Sequence, residues 1–217
     1  MSDKAAGAPE QLDPPGQPPE RLHDSNEDLV LRRWRTTDTD ALYAAASTSI
    51  VELSQWMPWA AKGYTKADAE DFLARRAGPA WDKGEDYSFA IITEGRIVGS
   101  CGLMRRIGPG GLEIGYWIAS DATGRGVATR AAAMLARAAF ALGADRVQIR
   151  HDEANERSAG VPRRLGFRCL GQVPPLDAVD EMPAPGMRSP KDILWQLDST
   201  EARMLDSKAT RSELLDI

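Results

Sequence analysis

The sequence predicts a mixed α/β fold in which helices flank a mainly antiparallel central sheet. Three observations lead to this fold class. Runs rich in β-forming residues alternate along the chain with runs of helical spacing. The runs "YSFAIIT" and "IVGSCGLMRRI" are joined by the turn sequence "EGR", which favours an antiparallel hairpin. A glycine-containing loop, "DATGRG", links a further β-rich run to an Ala-rich helix.

The amino-terminal half is predicted to contain one strand followed by helices. "DLVLRRW" alternates as a strand over residues 28–34, and a helix follows through Ala46. The stretch "IVELSQWMPWA" is apolar at helical spacing and is stopped by Pro58. A further helix is predicted to begin at the cap Thr65 and to end at Gly78.

The carboxy-terminal half is predicted to alternate strands and helices. After the hairpin, "LEIGYWIA" (112–119) forms a strand, and the Ala-rich helix runs to about Leu142, where Gly143 closes it. "DRVQIRH" and "FRCLGQV" are strands on either side of a short helix in "ERSAGVPRRLG". "DILWQLD" (192–198) is the last strand.

Length and composition predict one globular domain between two polar tails. The chain has 217 residues, of which 42% are hydrophobic and 27% charged, enough for a single sizeable core. Residues 1–26, rich in Pro, Gly and polar residues, are expected to form a disordered arm. The domain is expected to cover residues 27–198, and residues 199–217 form a polar tail.

Composition also disfavours several function classes. No apolar run approaches the roughly 20 residues that span a bilayer, and the first residues lack the basic and apolar regions of a secretory signal. The net charge of −5 disfavours a nucleic-acid surface and favours amine-bearing partners. Cys101 and Cys169 lie in apolar strand-like segments without metal-ligand spacing. They are expected to be buried thiols in a reducing cytoplasm, and no metal site is predicted.

The glycine loop has the chemistry of an anion site. The first amide groups of the helix that follows it lack intrahelical partners and carry partial positive charge. Gly124 and Gly126 would let a phosphate approach those amides, and Arg125 and Arg130 add positive charge. Glycines here can equally serve only to turn the chain. A P-loop is excluded because no Lys follows them, and a dinucleotide fingerprint because Thr129 replaces its third small residue.

Two motifs together resemble the GNAT superfamily of N-acyltransferases. "IGYWIASDATGRGVATRAAAML" is similar to the acyl-CoA-binding segment, Gln/Arg-x-x-Gly-x-Gly/Ala, with Thr123, Gly126 and Ala128 at its three positions. "NERSAGVPRRLGF" (155–167) resembles the second motif, Asn-x-x-Ser-x-x-Val-x-x-x-Leu-Gly-Phe, at every specified position. The motifs stand in the family's order. "QWMPWA" and "IGYWI" resemble its Rim-type branch of ribosomal-protein N-terminal acetyltransferases.

The sequence departs from the family pattern at two positions. Thr123 replaces the usual Gln or Arg, which removes a long side chain from near the pyrophosphate. Pro162 stands where many relatives carry a Tyr that could protonate the leaving thiolate. The second departure favours an alternative hypothesis, a catalytically silent GNAT-like module that binds acyl-CoA for sensing or assembly.

The resemblance implies that acetyl-CoA binds along the loop and the two elements beside it. The backbone of the loop would hold the pyrophosphate, and amides at the end of the preceding strand would polarise the thioester carbonyl. Asn155 is expected to contact the pantetheine arm or the leaving sulfur, with N-capping as its alternative role. The implied acyl-CoA-binding residues are Trp117, Ile118, Ala119, Thr123, Gly124, Arg125, Gly126, Val127, Ala128, Thr129, Asn155 and Ser158.

The resemblance further implies that an amine attacks the thioester directly, assisted by an acid and a base. Ser158 is the candidate acid because Pro162 excludes the usual Tyr, and capping the same helix is its alternative role. Glu113, on the strand leading to the loop, is the first candidate base, followed by Asp177 and then His151. For Glu113 the alternative is a solvent-facing strand carboxylate, and for His151 a hydrogen-bonded turn histidine.

The leading hypothesis is a cytoplasmic N-acetyltransferase that moves an acyl group, expected to be acetyl, from acyl-CoA to a primary amine. The acceptor would be a protein N-terminus or a small molecule. In this family Trp56 and Trp59 would border its groove, with burial in the core as their alternative role. A nucleotide-binding module is the remaining alternative. Neither nucleic acid nor a membrane is an expected partner, and pairing of the last strand between subunits would give a homodimer.

Overall fold

A single eight-stranded sheet runs through the protein, whose computed structural model describes residues 16–25, 28–175 and 191–202. The strands lie in the order β1-β2-β3-β4-β5-β6-β8-β7, and every neighbouring pair is antiparallel except β5 and β6. The predicted mixed α/β fold with a mainly antiparallel sheet is therefore confirmed. The strands are β1 (Arg21–His23), β2 (Leu29–Arg33), β3 (Asp86–Thr93), β4 (Arg96–Met104), β5 (Gly111–Ile118), β6 (Arg146–Asp152), β7 (Arg168–Val173) and β8 (Asp192–Asp198).

The helices of the described residues lie between these strands in the predicted order. Two predicted helix ends are wrong. The helix in "IVELSQWMPWA" ends at Leu53 instead of continuing to Pro58, which begins a 3-10 turn. The helix that begins after Thr65 does not end at Gly78. Gly78 has a helical φ of −65°, and a π-helical turn before it carries the helix on to Gly84, whose left-handed φ of +74° ends it. The helices are α1 (Thr39–Ser47), α2 (Ile50–Leu53), α3 (Lys66–Asp71), α4 (Gly78–Lys83), α5 (Val127–Ala141) and α6 (Glu156–Arg164).

Apolar side chains form two clusters, one on each face of the sheet. Phe89 and Ile91 of β3 belong to the larger cluster, whereas Ala90 between them belongs to the smaller one. Because successive strand residues point to opposite faces, the two clusters are separated by the sheet. Helix α5 packs on the larger cluster through a stripe of small residues and Leu135, while α1 and α3 contribute to the smaller cluster.

The described part of the amino-terminal arm contains a strand, whereas residues 1–26 are predicted to be disordered or loosely packed. Strand β1 pairs with β2, with Leu22 opposite Leu31, and Leu22 packs against the larger cluster. Burial of this side chain and a ladder of backbone hydrogen bonds offset the entropy lost on ordering. Residues 1–15 and 26–27, and the tail beyond residue 202, lie outside the described residues.

The two cysteines are free thiols in different surroundings. Cys101 is buried in β4, as predicted. Cys169 is exposed, contrary to the prediction, because β7 is an edge strand whose first residues, 168–170, are exposed on both faces. In the part of the chain that the structure describes, no helix is long and apolar enough to cross a membrane.

Candidate active site

The sheet opens between the parallel strands β5 and β6. Strand β5 pairs with β6 only from Gly111 to Ile114, opposite 146–149. Residues 115–118 of β5 stay paired with β4 but have no partner in β6, all of which the structure describes. Backbone groups on this side of β5 therefore face an opening, which we call the gap.

The backbone amides at the end of β5 divide between β4 and the gap. Ala119 donates its N–H to the carbonyl of Val98 at 2.8 Å, so this predicted thioester contact is already occupied. Hydrogen-bonded and non-hydrogen-bonded pairs alternate in an antiparallel ladder. The N–H of Ile118, the preceding residue, therefore points away from β4 and into the gap.

The glycine loop lies between β5 and α5, directly beyond the gap. Gly124 and Gly126 have φ values of +78° and +72°, in the left-handed region where other residues are strained. A Cβ atom at either position would meet no heavy atom within 4 Å, so the space over the loop is open. Gly126 is the N-cap of α5 and supplies no side chain to the first amides of the helix. These amides remain able to bind an anion.

Two arginines near the loop differ from the sequence-based expectation. Arg130 is bound by the carboxylates of Asp24 and Asp28, with its Nε 2.7 Å from Asp24 Oδ2, so its charge is neutralised within the protein. Sequence reasoning missed Arg164 of α6, whose Nε donates to Thr129 Oγ1 at 3.1 Å. This contact brings a guanidinium to the first turn of α5. The only sequence feature that pointed to Arg164 is its position inside the second motif.

A pair of hydroxyl groups joins β5 to the start of α6. Asn155 caps α6, because its Oδ1 accepts the backbone N–H of Ser158 at 3.0 Å. The Ser158 hydroxyl lies 3.0 Å from the hydroxyl of Tyr116, which also donates to the Ser158 carbonyl at 3.2 Å. Since Tyr116 belongs to the unpaired half of β5, this contact places Ser158 beside the gap. Burial raises the pKa of Tyr116 to about 12, so its phenol is neutral at physiological pH.

Glu113 is buried, which corrects the alternative of a solvent-facing strand carboxylate. The residue is only 2% exposed, and its Oε1 accepts a hydrogen bond from Arg106 Nη2 at 2.6 Å. Its Oε2 is also buried and has no hydrogen-bond partner among the described residues. One carboxylate oxygen is thus held by an arginine, and the other can accept a proton from a donor that enters the site.

His151 is a hydrogen-bonded core histidine rather than an available base. Its Nε2 accepts the indole N–H of Trp195 at 2.9 Å, and its Nδ1 lies 2.8 Å from the carbonyl of Asp152. A carbonyl oxygen only accepts, so Nδ1 carries the proton and both ring nitrogens are occupied. Asp177, the second candidate base, lies outside the described residues.

An aromatic cluster borders the gap on the face opposite Tyr116. Trp117 contacts Trp59 with ring centroids 5.8 Å apart, and Trp59 contacts Tyr64 at 5.1 Å. Trp59 remains 40% exposed, so it presents an aromatic surface beside the end of β5. Trp56 is partly buried, and the described residues show no ring contact between it and Trp117.

A sheet that opens between two parallel strands, next to a helix start that can bind an anion, fits the class of acyl-CoA-dependent acyltransferases that the two sequence motifs resemble. A family model described as an acetyltransferase (GNAT) domain matches residues 28–168. The chain belongs to the GNAT acetyltransferase family.

Solved acetyltransferase structures share the fold. MccE, the microcin C7 self-immunity acetyltransferase in complex with acetyl-CoA and AMP, has a TM-score of 0.70 at 18% identity over 80% of this chain and 93% of that one. RimL, the ribosomal L7/L12 alpha-N-protein acetyltransferase in complex with coenzyme A, has a TM-score of 0.70 at 18% identity over 81% and 96%. RimJ of Mycobacterium smegmatis in complex with CoA-disulfide has a TM-score of 0.64 at 24% identity over 83% and 89%.

A relative in sequence is YdaF of Bacillus subtilis (strain 168), provisionally named a ribosomal N-acetyltransferase. The two chains are 46% identical over 62 residues, which is 28% of this chain. The matched segment covers 34% of YdaF, so this chain matches about a third of the length of that relative.

Proposed function

We propose that the protein transfers an acetyl group from acetyl-CoA to a primary amine, with the α-amine of a protein N-terminus as the leading acceptor. The observation that carries this proposal is the gap between β5 and β6, which connects the two faces of the sheet beside an uncapped helix start. Family membership supports the reaction class. The donor is supported by structural neighbours that are complexes with acetyl-CoA or CoA.

Acetyl-CoA would bind with its pyrophosphate over the loop and its pantetheine arm in the gap. The amides from Gly124 to Thr129 would hold the pyrophosphate, whereas that of Thr123 already donates to the carbonyl of Ser120. Arg164 would add a positive charge at the same place. The amide of Ile118, which points into the gap, would donate to the thioester carbonyl. Stabilising charge on that oxygen is the contribution expected of such a donor.

The two faces of the sheet would serve the two ends of the reaction. Glu113 and Trp117 alternate with Tyr116 along β5, so the carboxylate and the aromatic cluster lie on one face and the two hydroxyls on the other. The acceptor would approach past Trp59 and Trp117. The leaving sulfur would depart toward Ser158 on the opposite face.

In the proposed reaction the amine nitrogen attacks the thioester carbon, an amide C–N bond forms and the C–S bond breaks. The thiolate leaves while Ser158 donates a hydrogen bond to the sulfur, and the proton released by the nitrogen passes to Glu113 Oε2. Glu113 is three residues from Tyr116, or about 10 Å along the strand. The proton would therefore travel through at least one water molecule.

The first test is a thermal unfolding series with acetyl-CoA, CoA, succinyl-CoA, ATP and NAD at equal concentration. Stabilisation by acetyl-CoA or CoA is expected, because a ligand that binds only the folded state raises its stability. Protection by ATP or NAD without protection by any CoA species would identify a nucleotide-binding module and overturn the proposal.

The second test measures acetylation of peptides by mass spectrometry. A peptide with a free N-terminal serine should be acetylated, whereas the same peptide with a blocked N-terminus and one internal lysine should not. Acetylation of the lysine peptide alone would overturn the choice of acceptor. Stoichiometric CoA binding without acetylation of any amine would instead support the silent acyl-CoA-binding module, which Pro162 favours.

A further inference from the structure

Pro162 leaves a carbonyl of α6 without its helical hydrogen-bond donor. Helix α6 begins at Glu156, and Pro162 lies inside it. In an α-helix the N–H of each residue donates to the carbonyl four residues earlier, and proline has no N–H. The carbonyl that loses its donor here is that of Ser158. The Tyr116 hydroxyl donates to this same carbonyl at 3.2 Å.

The same phenol also controls the Ser158 side chain. A phenol has one hydrogen to donate and lone pairs that accept. The phenol hydrogen can reach the Ser158 carbonyl at 3.2 Å or Ser158 Oγ at 3.0 Å, and either hydroxyl can be the donor in the second contact. While the phenol donates to the carbonyl, its oxygen accepts the hydrogen of Ser158. When that single hydrogen turns to the leaving sulfur, the phenol can donate to Ser158 Oγ instead. In both arrangements the same phenol holds the Ser158 oxygen beside the gap.

Tyr116 is not suited to supply a proton to the leaving group itself. Burial raises its pKa to about 12, whereas an ordinary thiol has a pKa of about 8.5. A thiolate would not remove the proton of such a phenol to any useful extent. The phenol stays protonated and acts through its hydrogen bonds to Ser158.

We propose that Tyr116 is a positioning residue for Ser158, and that its hydroxyl takes the place of the amide proton that Pro162 lacks. The inference rests on the proposed role of Ser158 in the reaction. It explains how the chain can carry proline at a position inside α6 and still present an ordered hydroxyl to the gap. The donor comes from β5, across the opening, instead of from the helix.

The functional test is a double-mutant cycle between Tyr116→Phe and Ser158→Ala. The assay follows acetylation of the peptide with a free N-terminal serine by acetyl-CoA. Tyr116→Phe should lower kcat about three- to tenfold, the value of one hydrogen bond, and leave the KM for acetyl-CoA within about twofold. In the Ser158→Ala background it should lower kcat no further.

Tyr87→Phe is the matched control for this cycle. Tyr87 is a buried tyrosine whose hydroxyl donates to the carbonyl of Gly16 at 3.1 Å, away from the gap. Its substitution should leave kcat unchanged. The same loss of kcat for Tyr116→Phe with and without Ser158, or no loss at all where Ser158→Ala lowers kcat, would overturn the inference.

A second cycle pairs Tyr116→Phe with Pro162→Ala and needs no acceptor. Alanine restores the N–H at position 162, so the Ser158 carbonyl regains a donor. Tyr116→Phe should then lower the Tm by less than the roughly 2–4 °C expected in the unaltered chain for one lost hydrogen bond. Equal losses of Tm in both backgrounds would overturn the pairing of Tyr116 with Pro162. If the unaltered protein acetylates nothing, the proposed function fails, and the positioning role fails with it even where the Tm cycle behaves as expected.

Discussion

Glu113 holds one carboxylate oxygen against Arg106 and buries the other, and this asymmetry predicts the effect of removing its charge. Glu113→Gln keeps the shape of the side chain but cannot accept the amine proton. We expect kcat at pH 7 to fall about 100-fold, the lower end of general-base contributions. The deficit should persist above about pH 8, because an amine that is neutral in solution still releases a proton as the amide bond forms. Steady-state kinetics from pH 6.5 to 9 measure both effects.

Asp82→Asn is the control for this substitution. Asp82 also binds an arginine, with its Oδ1 2.6 Å from Arg33 Nη2, but it lies on α4. Its loss should leave the kcat profile unchanged. A Glu113→Gln protein with normal kcat at pH 7 would show that Glu113 is not the base.

Because the Arg164 guanidinium lies at the first turn of α5, we expect its charge to contribute to CoA binding. Arg164→Ala should raise the Kd for CoA about fivefold, or about 1 kcal/mol, and the difference should shrink in high salt because exposed charges are screened. Arg163→Ala is the control, since Arg163 contacts Glu156 on α6 instead. Isothermal titration calorimetry at two salt concentrations compares the Kd for CoA of the two variants. Equal effects from both substitutions would mean that only the general charge of α6 matters.

At the scale of elements, the turn into α5 predicts where CoA binding can be abolished. Gly126→Glu places a carboxylate over the helix start and a side chain where φ is +72°. We expect it to remove the Tm increase with CoA, which should be about 5–10 °C in the unaltered protein at 100 times the Kd. Gly171→Glu is the matched control, because Gly171 of β7 has φ +94° and equally open space. It should lower the Tm without ligand and keep the increase with CoA.

If Gly126→Glu kept the full increase with CoA, the loop would be only a turn. If Gly171→Glu also lost it, the loss would reflect general destabilisation. The two substitutions therefore separate a binding role for the loop from a folding role.

Elements with strong local signals could be predicted from the sequence. The turn at Glu94 and Gly95 has positive φ at both residues, so the "EGR" sequence and the strand hairpin agree. The Ala-rich helix α5 could also be predicted, because its composition is a strong local signal. Strand β1 could not be predicted, because its three residues lie beside polar neighbours. They form a strand only because β2 provides an edge to pair with and the larger cluster provides a surface on which Leu22 packs.

The candidate site could be predicted only where one motif contains it. The glycine loop and the Asn155 cap depend on neighbouring residues, and their local geometry follows the sequence. The contact between Tyr116 and Ser158 depends on how β5 faces α6, 42 residues later. The neutralisation of Arg130 depends on its ion pair with Asp24, 106 residues earlier. Such long-range contacts leave no periodic signal in a single sequence.

At the scale of the whole molecule, the gap would give the two proposed substrates separate routes to one place. The donor would enter from the face of α5 and α6, and the acceptor from the face that carries Trp59 and Trp117. Separate routes suit a ternary complex, because neither substrate has to leave before the other binds. The cytoplasmic location and the homodimer remain predictions.

Global stability should depend on pH in the alkaline range because of partly buried phenols. Burial raises the pKa of Tyr116 from 10.0 to about 12, and desolvation followed by the charge of Asp68 raises that of Tyr64 to about 12. Above about pH 10 the unfolded chain releases these protons while the folded chain keeps them. The free energy of unfolding should therefore fall as the pH rises through 10 and stop falling above about 12.

Urea unfolding at pH 9, 10 and 11, followed by tryptophan fluorescence, measures this fall. Tyr116→Phe should remove about 1 kcal/mol of the loss between pH 9 and 11, since one pKa unit corresponds to about 1.4 kcal/mol. Tyr43→Phe is the control, because Tyr43 is exposed and its replacement should leave the fall unchanged. An identical fall in the Tyr116→Phe protein would mean that the folded chain ionises this phenol as readily as the unfolded one. In that case Tyr116 could not serve as a permanently protonated donor to Ser158 at high pH.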